Sequence, residues 1–264
     1  MTVEFRPAAA GTGIVFVRAD LDGCPRIPAS IAHLEPTPRR TNLRYGDATV
    51  EMIEHVMAAL HGLQIDNCEV WVDQPEMPGL DGSSLELVVA LDAAGRVDQP
   101  VRRGRCAVRE PVRLGTDDCW IEARPCCSGR LVLQYELDYG PDNPIGRQRL
   151  EMVLSPEIFR REIAPCRTFT FQAEAEALLK KGLGSRVTYG DLLVFGPDGP
   201  IGNTLRFPDE CVRHKLLDMI GDLALAGCDL AGRFTAYRSG HQLNAELVQT
   251  LLAKRKKREL KRCA

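Results

Sequence analysis

No apolar run in the 264 residues approaches the roughly 18–20 residues that a membrane span requires. The opening MTVEFRPAAA also lacks the apolar centre of a secretory signal. A soluble, cytoplasmic protein is therefore expected. No C-x-x-C pair occurs among the ten cysteines, at 24, 68, 106, 119, 126, 127, 166, 211, 228 and 263. That disfavours a cysteine zinc site, and without export nothing would pair the thiols, so most are expected to be small buried side chains. Strong charge of either sign is lacking as well. A formal net charge of −2 argues against nucleic-acid binding by the body of the chain. The exception is KRKKRELKR, residues 254–262, with seven bases and one acid. It is read as a solvated helix end in preference to a contact with anionic lipid or nucleic acid.

What is present starts with size: 264 residues at 44% hydrophobic are enough for one large or two ordinary domains with true cores. The most informative stretch is RHKLLDMIGD, Arg213 to Asp222. It sets His214, Asp218 and Asp222 four residues apart, twice. At about 100° per residue, each step returns to nearly the same helix face. Burying such a row is costly unless the groups share a cation or protons. A His and an Asp one turn apart can both reach one divalent metal.

The pattern alternates short strands with helices. VEFRPA and TGIVFVRAD read as strands and the segment from Ile27 to Asp47 as turn-rich. A helix is expected from about Thr49 to Leu63 and a strand at CEVWVD. A helix capped by Ser83 or Ser84 then ends at Gly95. CAVREPVRLG, CWIEARP, RLVLQYELDY and QRLEMVLS follow as strands, PEIFRREIA as a short helix and RTFTF as a strand. FQAEAEALLKKG is expected as a helix and VTYGDLLVFG as a strand. The long helix PDECVRHKLLDMIGDLALAG, the strand GRFTAYRSG and a terminal helix from His241 complete the chain. Helix, strand, polar triplet and helix recur at about 49–95 and 208–258, with Asp81-Gly82-Ser83 and Ser239-Gly240-His241 as the triplets. This faint repeat suggests two similarly built α+β domains facing one another, residues 1–104 and 105–264.

Besides His214 there are only His33, His55, His61 and His241. His55 follows Glu54 on the first helix. Two histidines and a carboxylate from opposed domains would leave an open coordination position, the arrangement of a catalytic zinc site. Glu54 points around the helix from His55, where it could take a proton from an activated water. Asp222 could accept from His241 and keep it protonated, or could cap or pair locally.

IEHVMAALHGLQIDN, PEMPGLDGS, CRTFTF, LRFPDECVRHKLLDMIGDLALAG and TAYRSGHQLNAELVQTLLA carry, in order, E-H, D-G-S, R-T-F, R-H-K-x-x-D-x-x-G-D and S-G-H. Together they resemble the zinc-dependent UDP-3-O-acyl-N-acetylglucosamine deacetylases of lipid A biosynthesis, along nearly the whole chain. The resemblance implies an α+β fold in which two domains form a β-α-α-β sandwich with the active site between them. It implies one catalytic Zn²⁺ on His55, His214 and Asp218, with Glu54 as general base. It further implies a cationic His241 supported by Asp222, Thr168 at the oxyanion, and Lys215 on the polar part of the substrate. A β-α-β insert at about 171–195 would hold the acyl chain, with Phe169, Phe171 and Leu183 as passage residues. The partners are the UDP-sugar and water, with no nucleic acid, and a monomer is expected. The alternative is a divergent paralogue that binds metal or nucleotide-sugar without turnover. Two departures stand out. The family's opening strand pair with its G-x-G-L-H-x-G turn has no counterpart, so either the chain is shortened at its start or the first sheet is built with fewer strands, and an exposed edge strand is expected. GLGSRVTYGD also matches the insert's L-G-G-S only loosely.

Overall fold

The computed structural model describes residues 1–180 and 192–263. Strands β1 (Val3–Pro7), β2 (Ile14–Arg18) and β3 (Arg26–Pro28) come first. β4 (Leu34–Glu35), β5 (Asn42–Tyr45) and β6 (Ala48–Val50) form a small antiparallel sheet. Helix α1 (Glu54–Gly62) leads to β7 (Cys68–Val72) and α2 (Leu85–Ala94). β7 lies between β1 and β2, so the first sheet runs β1-β7-β2-β3 with β1 and β3 at its edges. Alternate residues of β7 are buried, as a half-covered strand requires.

The expected helix from Thr49 is shorter at its start. Ala48–Val50 pairs with Asn42–Tyr45 across Gly46, whose φ of +58° makes the tight return. The Met52 N–H donates to Asn42 Oδ1 at 3.1 Å, with Met52 at φ +59°. These contacts hold residues 48–52 out of the helix despite the helical spacing of Met52, Ile53 and Val56. The chain enters α1 only at Glu54.

The second half opens with β8 (Arg105–Ala107), β9 (Val112–Gly115), β10 (Trp120–Arg124), β11 (Leu131–Asp138) and β12 (Arg147–Val153). A helical turn α3 (Pro156–Ile158) continues as a π-helical turn over Phe159–Ile163, in place of a uniform short helix. β13 (Phe169–Phe171), α4 (Gln172–Lys180), β14 (Leu193–Gly196) and β15 (Gly199–Pro200) follow. β14 covers only the end of the expected strand VTYGDLLVFG, whose first five residues lie outside the described set. The chain then forms α5 (Glu210–Ala224), β16 (Asp229–Tyr237) and α6 (His241–Cys263). β16 is central in a sheet ordered β12-β11-β16-β10-β9, with β8 beside β10 on one flank of β16. Leu131, Leu133, Tyr135 and Leu137, alternating along β11, are all buried in the core.

The fold is α+β. One apolar core runs from Phe16 and Val70 of the first sheet, through α1 and α5, to Leu133 and Phe234 of the second. α1 packs directly on α5, and α5 rests on β11 and β12. Gly221 sets how closely the two helices approach. A Cβ at Gly221 would lie 2.1 Å from the Glu54 carbonyl oxygen, far inside contact distance. The same closeness recurs at the end of α1, where a Cβ on Gly62 would strike the Phe159 ring at 2.3 Å. Among the described cysteines, Cys68, Cys106, Cys166, Cys211 and Cys228 are buried and Cys127 is exposed. No described helix is long and apolar enough to cross a membrane.

Candidate metal centre

α5 is 15 residues long and buries most of its circumference, polar row included. His214, Asp218 and Asp222 are each at most 5% exposed. Because α1 lies against α5, His55 meets this row from the other side. His55 Nε2 is 3.7 Å and His214 Nε2 3.2 Å from Asp218 Oδ1, and the imidazoles stand at 89° with centroids 5.1 Å apart. Donor atoms of the three residues all fall within 4.8 Å of one another.

The donor set fits a metal ion. A tetrahedral ion with bonds of about 2.0–2.1 Å separates its ligand atoms by roughly 3.3 Å, close to the spacings here. His214 Nδ1 lies 3.0 Å from the Cys166 carbonyl oxygen. A carbonyl only accepts, so Nδ1 carries the proton and Nε2 offers its lone pair to the centre. Burial pushes the His214 pKa down, which favours the neutral ligand form. Burial works to raise Asp218, but the adjoining His214 ring and the Lys215 ammonium hold it well below the usual carboxylate range. Lys215 Nζ donates to Asp218 Oδ2 at 2.8 Å. That bond orients the carboxylate and leaves Oδ1 toward the histidines.

Glu54 and His241 stand beside this cluster. Glu54 is 4% exposed, and burial raises its pKa. Its Oε2 accepts the Thr41 N–H at 2.9 Å. His241 opens α6, where the helix dipole disfavours a cation. Burial also works against the charge, yet Asp222 overrides both and lifts His241 to about 9. His241 Nδ1 donates to Asp222 Oδ2 at 2.9 Å, leaving Nε2 as the free end of the ring. Asp222 also accepts from Asn244 Nδ2 at 2.8 Å and from the Thr41 hydroxyl at 2.6 Å. Asp222 thus accepts from three donors, buried on α5 between α6 and the residue just before β5.

Residues 1–253 match the LpxC family, UDP-3-O-acyl N-acetylglycosamine deacetylase. Proteins named UDP-3-O-acyl-N-acetylglucosamine deacetylase from Brucella ovis, Brucella abortus and Brucella melitensis are each 40% identical over 250 residues. Those alignments cover 94% of this chain and 86% of each relative. The chain belongs to the LpxC family.

The family's D-G-S stretch has a visible structural task. The Gly82 carbonyl accepts the Thr168 N–H at 2.7 Å, and Ser84 Oγ donates to the His55 carbonyl at 2.9 Å. Asp81 pairs with Arg206 at 2.7 Å and holds the Ser83 hydroxyl and N–H. One loop thus ties α1 to the R-T-F segment. Thr168 is partly buried, and its carbonyl accepts the Leu193 N–H at 3.0 Å, so β13 and β14 fix it between them. Phe169 stands edge-on to His214 at 6.4 Å and to Phe195 at 6.3 Å, while Phe171 meets Tyr139 at 5.1 Å. An aromatic wall therefore adjoins the centre, and Lys215 Nζ lies 5.8 Å above the Phe169 ring. Leu183 lies outside the described residues.

The remaining histidines take no part in the cluster. His33 packs edge-on against Tyr45, and His61 buries an unpartnered Nδ1, with burial lowering its pKa to about 3. Sequence reasoning missed Thr41, Asn244, Tyr139 and Phe195. Asn244, three residues after His241, has a local signal, since i and i+3 share a helix side. Thr41 has none: it lies in a turn-rich stretch 181 positions from Asp222.

Proposed function

We propose that this chain hydrolyses the acetamide of UDP-3-O-acyl-N-acetylglucosamine, giving acetate and the free amine, for lipid A biosynthesis. His55, His214 and Asp218 would hold one Zn²⁺. Residues 1–104 and 105–264 act as two domains that each supply part of the site, in a cytoplasmic monomer. The observation that carries the reading is the His55–His214–Asp218 cluster with buried Glu54 and the His241–Asp222 pair beside it.

Bound there, the ion supplies Lewis acidity to the acetamide carbonyl and to the attacking water. The Glu54 carboxylate, held at Oε2 by Thr41, accepts the water's proton. Thr168 donates its hydroxyl hydrogen bond to the carbonyl oxygen as negative charge develops. His241, with Nδ1 committed to Asp222, gives the Nε2 proton to the departing nitrogen. Lys215 contacts the polar part of the substrate. Phe169 and Phe171, together with Leu183, flank the acyl chain.

Acetate release from the UDP-sugar, abolished by a chelator and restored by zinc, is the direct test. A folded, zinc-loaded protein that releases no acetate overturns the reading. If that protein still binds a hydroxamate, it is a paralogue without turnover.

The pH–rate profile should be bell-shaped. Glu54 must be ionised, so activity falls as pH drops through its raised pKa. His241 must be protonated, so activity falls as pH rises through about 9. Asp222→Asn removes the charge that raises His241 and should move the alkaline limb downward. An unmoved limb would assign it elsewhere. By linkage, the His241–Asp222 pair stabilises the fold fully below His241's unfolded pKa of about 6.5. This stability is lost as pH rises through about 9.

Thr41 joins the general base to the orienting carboxylate, with its N–H on Glu54 and its hydroxyl on Asp222. Thr41→Val keeps the shape and loses one bond to a charged group, worth about 1.5–3 kcal/mol. kcat should fall about tenfold or more at unchanged KM. Thr41→Ser should restore it. A Val variant with full kcat would leave Thr41 a structural role only.

A further inference from the structure

The basic end of α6, expected as a solvated helix terminus, is laid against the second sheet. α6 packs across β8, β9 and β10. Arg255 and Arg258 are half-buried there, and with Arg105, Arg109 and Lys261 they wall a cavity of about 490 Å³. Its cations arrive from three stretches that are separate in sequence: β8, the loop after it, and α6. At about 1.5 Å of rise per residue, Arg255 lies roughly 21 Å along α6 from His241. The cavity is therefore distinct from the metal centre.

The acids at hand do not balance this charge. Glu259 is the one carboxylate of the wall, and it accepts from Arg255 Nε at 2.8 Å. Glu110, next to Arg109, accepts from Lys254 Nζ at 2.5 Å. Arg105 donates to the Gly129 carbonyl. Arg109, Arg258 and Lys261 have no carboxylate partner among the described residues. Gathering like charges about one cavity raises the free energy of the folded chain, and an anion seated among them reverses the sign of that interaction. Two guanidinium forks with an ammonium beside them suit a phosphate group, whose oxygens accept paired N–H donors. A second cavity, of about 600 Å³, shares Arg105, Ala107 and Arg109 with the first and continues past Val108, Pro125 and Ala231. It leaves room for an organic group attached to the phosphate.

We propose that these joined cavities bind a phosphate ester, with the phosphate among Arg109, Arg258 and Lys261 and the organic part toward Val108, Pro125 and Ala231. Arg105 and Arg255, already engaged by the Gly129 carbonyl and Glu259, add positive potential without having to move. A soluble phosphate ester and the glycerophosphate headgroup of an anionic lipid share this chemistry. They differ in whether the ligand arrives free or at a bilayer surface.

The full-length, metal-loaded protein is titrated with glycerol 3-phosphate by calorimetry and sedimented with vesicles of phosphatidylglycerol, with phosphatidylcholine vesicles as the control. Saturable binding of glycerol 3-phosphate, weakened about tenfold or more in the double variant Arg109→Gln/Arg258→Gln, assigns the site to a free ester. Sedimentation with phosphatidylglycerol alone, lost in the same variant and without binding of the free ester, assigns it to a lipid headgroup. Both behaviours together support the one site serving either source. Acetate release by the variant should stay at the wild-type rate, which shows that it folds. Phenylglyoxal labelling needs no variant: whichever probe binds should shield Arg109 and Arg258 of the wild-type chain, as mapped by mass spectrometry. Failure of both probes to bind, binding undiminished in the variant, or unchanged labelling of both arginines at saturation overturns the assignment.

Discussion

Glu54→Gln is expected to lower kcat by about 10²–10⁴-fold, the usual contribution of a general base, at unchanged zinc content. The amide has the carboxylate's shape, and its oxygen can still accept the Thr41 N–H that now reaches Oε2. What it loses is the capacity to take a proton. Burial makes this site unusually intolerant of a substitute base, because at 4% exposure bulk water does not reach it freely. Its raised pKa also places the native carboxylate nearer neutrality, where a base both exists ionised and binds a proton usefully. Metal content and acetate release measured on the same preparation separate the outcomes. A zinc-loaded variant with wild-type kcat would remove Glu54 from the chemistry; loss of zinc would recast it as a support for His55.

Arg167→Met should cost about 3–5 kcal/mol of stability, the usual penalty for removing one partner of a buried ion pair. The Glu210 side chain is fully buried, and Arg167 donates to it three times: from N at 3.0 Å, Nε at 2.9 Å and Nη2 at 3.2 Å. Arg206 N–H adds a fourth donor at 2.6 Å. The same guanidinium reaches Asn203 Oδ1 and the Thr204 carbonyl. The pair therefore joins the R-T-F segment to the first turn of α5, upstream of His214. Truncating the arginine strands a carboxylate in the core. Adding Glu210→Gln to Arg167→Met should recover part of the loss in urea denaturation. A double variant less stable than the single would show that the carboxylate still finds its charge balanced.

The α5 half of the candidate metal centre was readable because helix periodicity is local: a four-residue step fixes a shared face whatever the rest of the chain does. The pairing of His214, Asp218 and Asp222 needed no tertiary knowledge. The division among them did, since Asp222 is set apart by Thr41, Asn244 and His241, which arrive from other elements. The start of α1 failed for the opposite reason. Met52 and Ile53 have helical spacing, but a hairpin and one Asn42 bond claim the preceding backbone. Tertiary hydrogen bonds outweighed a weak local preference.

Gly221 carries a further meaning for how this site stays true. Two helices that meet through interlocking side chains can drift as those side chains change, each substitution shifting the axes slightly. Here the α5 backbone is seated directly on the carbonyl of Glu54. The contact works as a machinist's datum, a bare reference face from which His55 on one helix and His214 with Asp218 on the other are gauged. Tolerance for error is therefore unevenly distributed: the surrounding core has room to vary, while the position that holds no side chain has none.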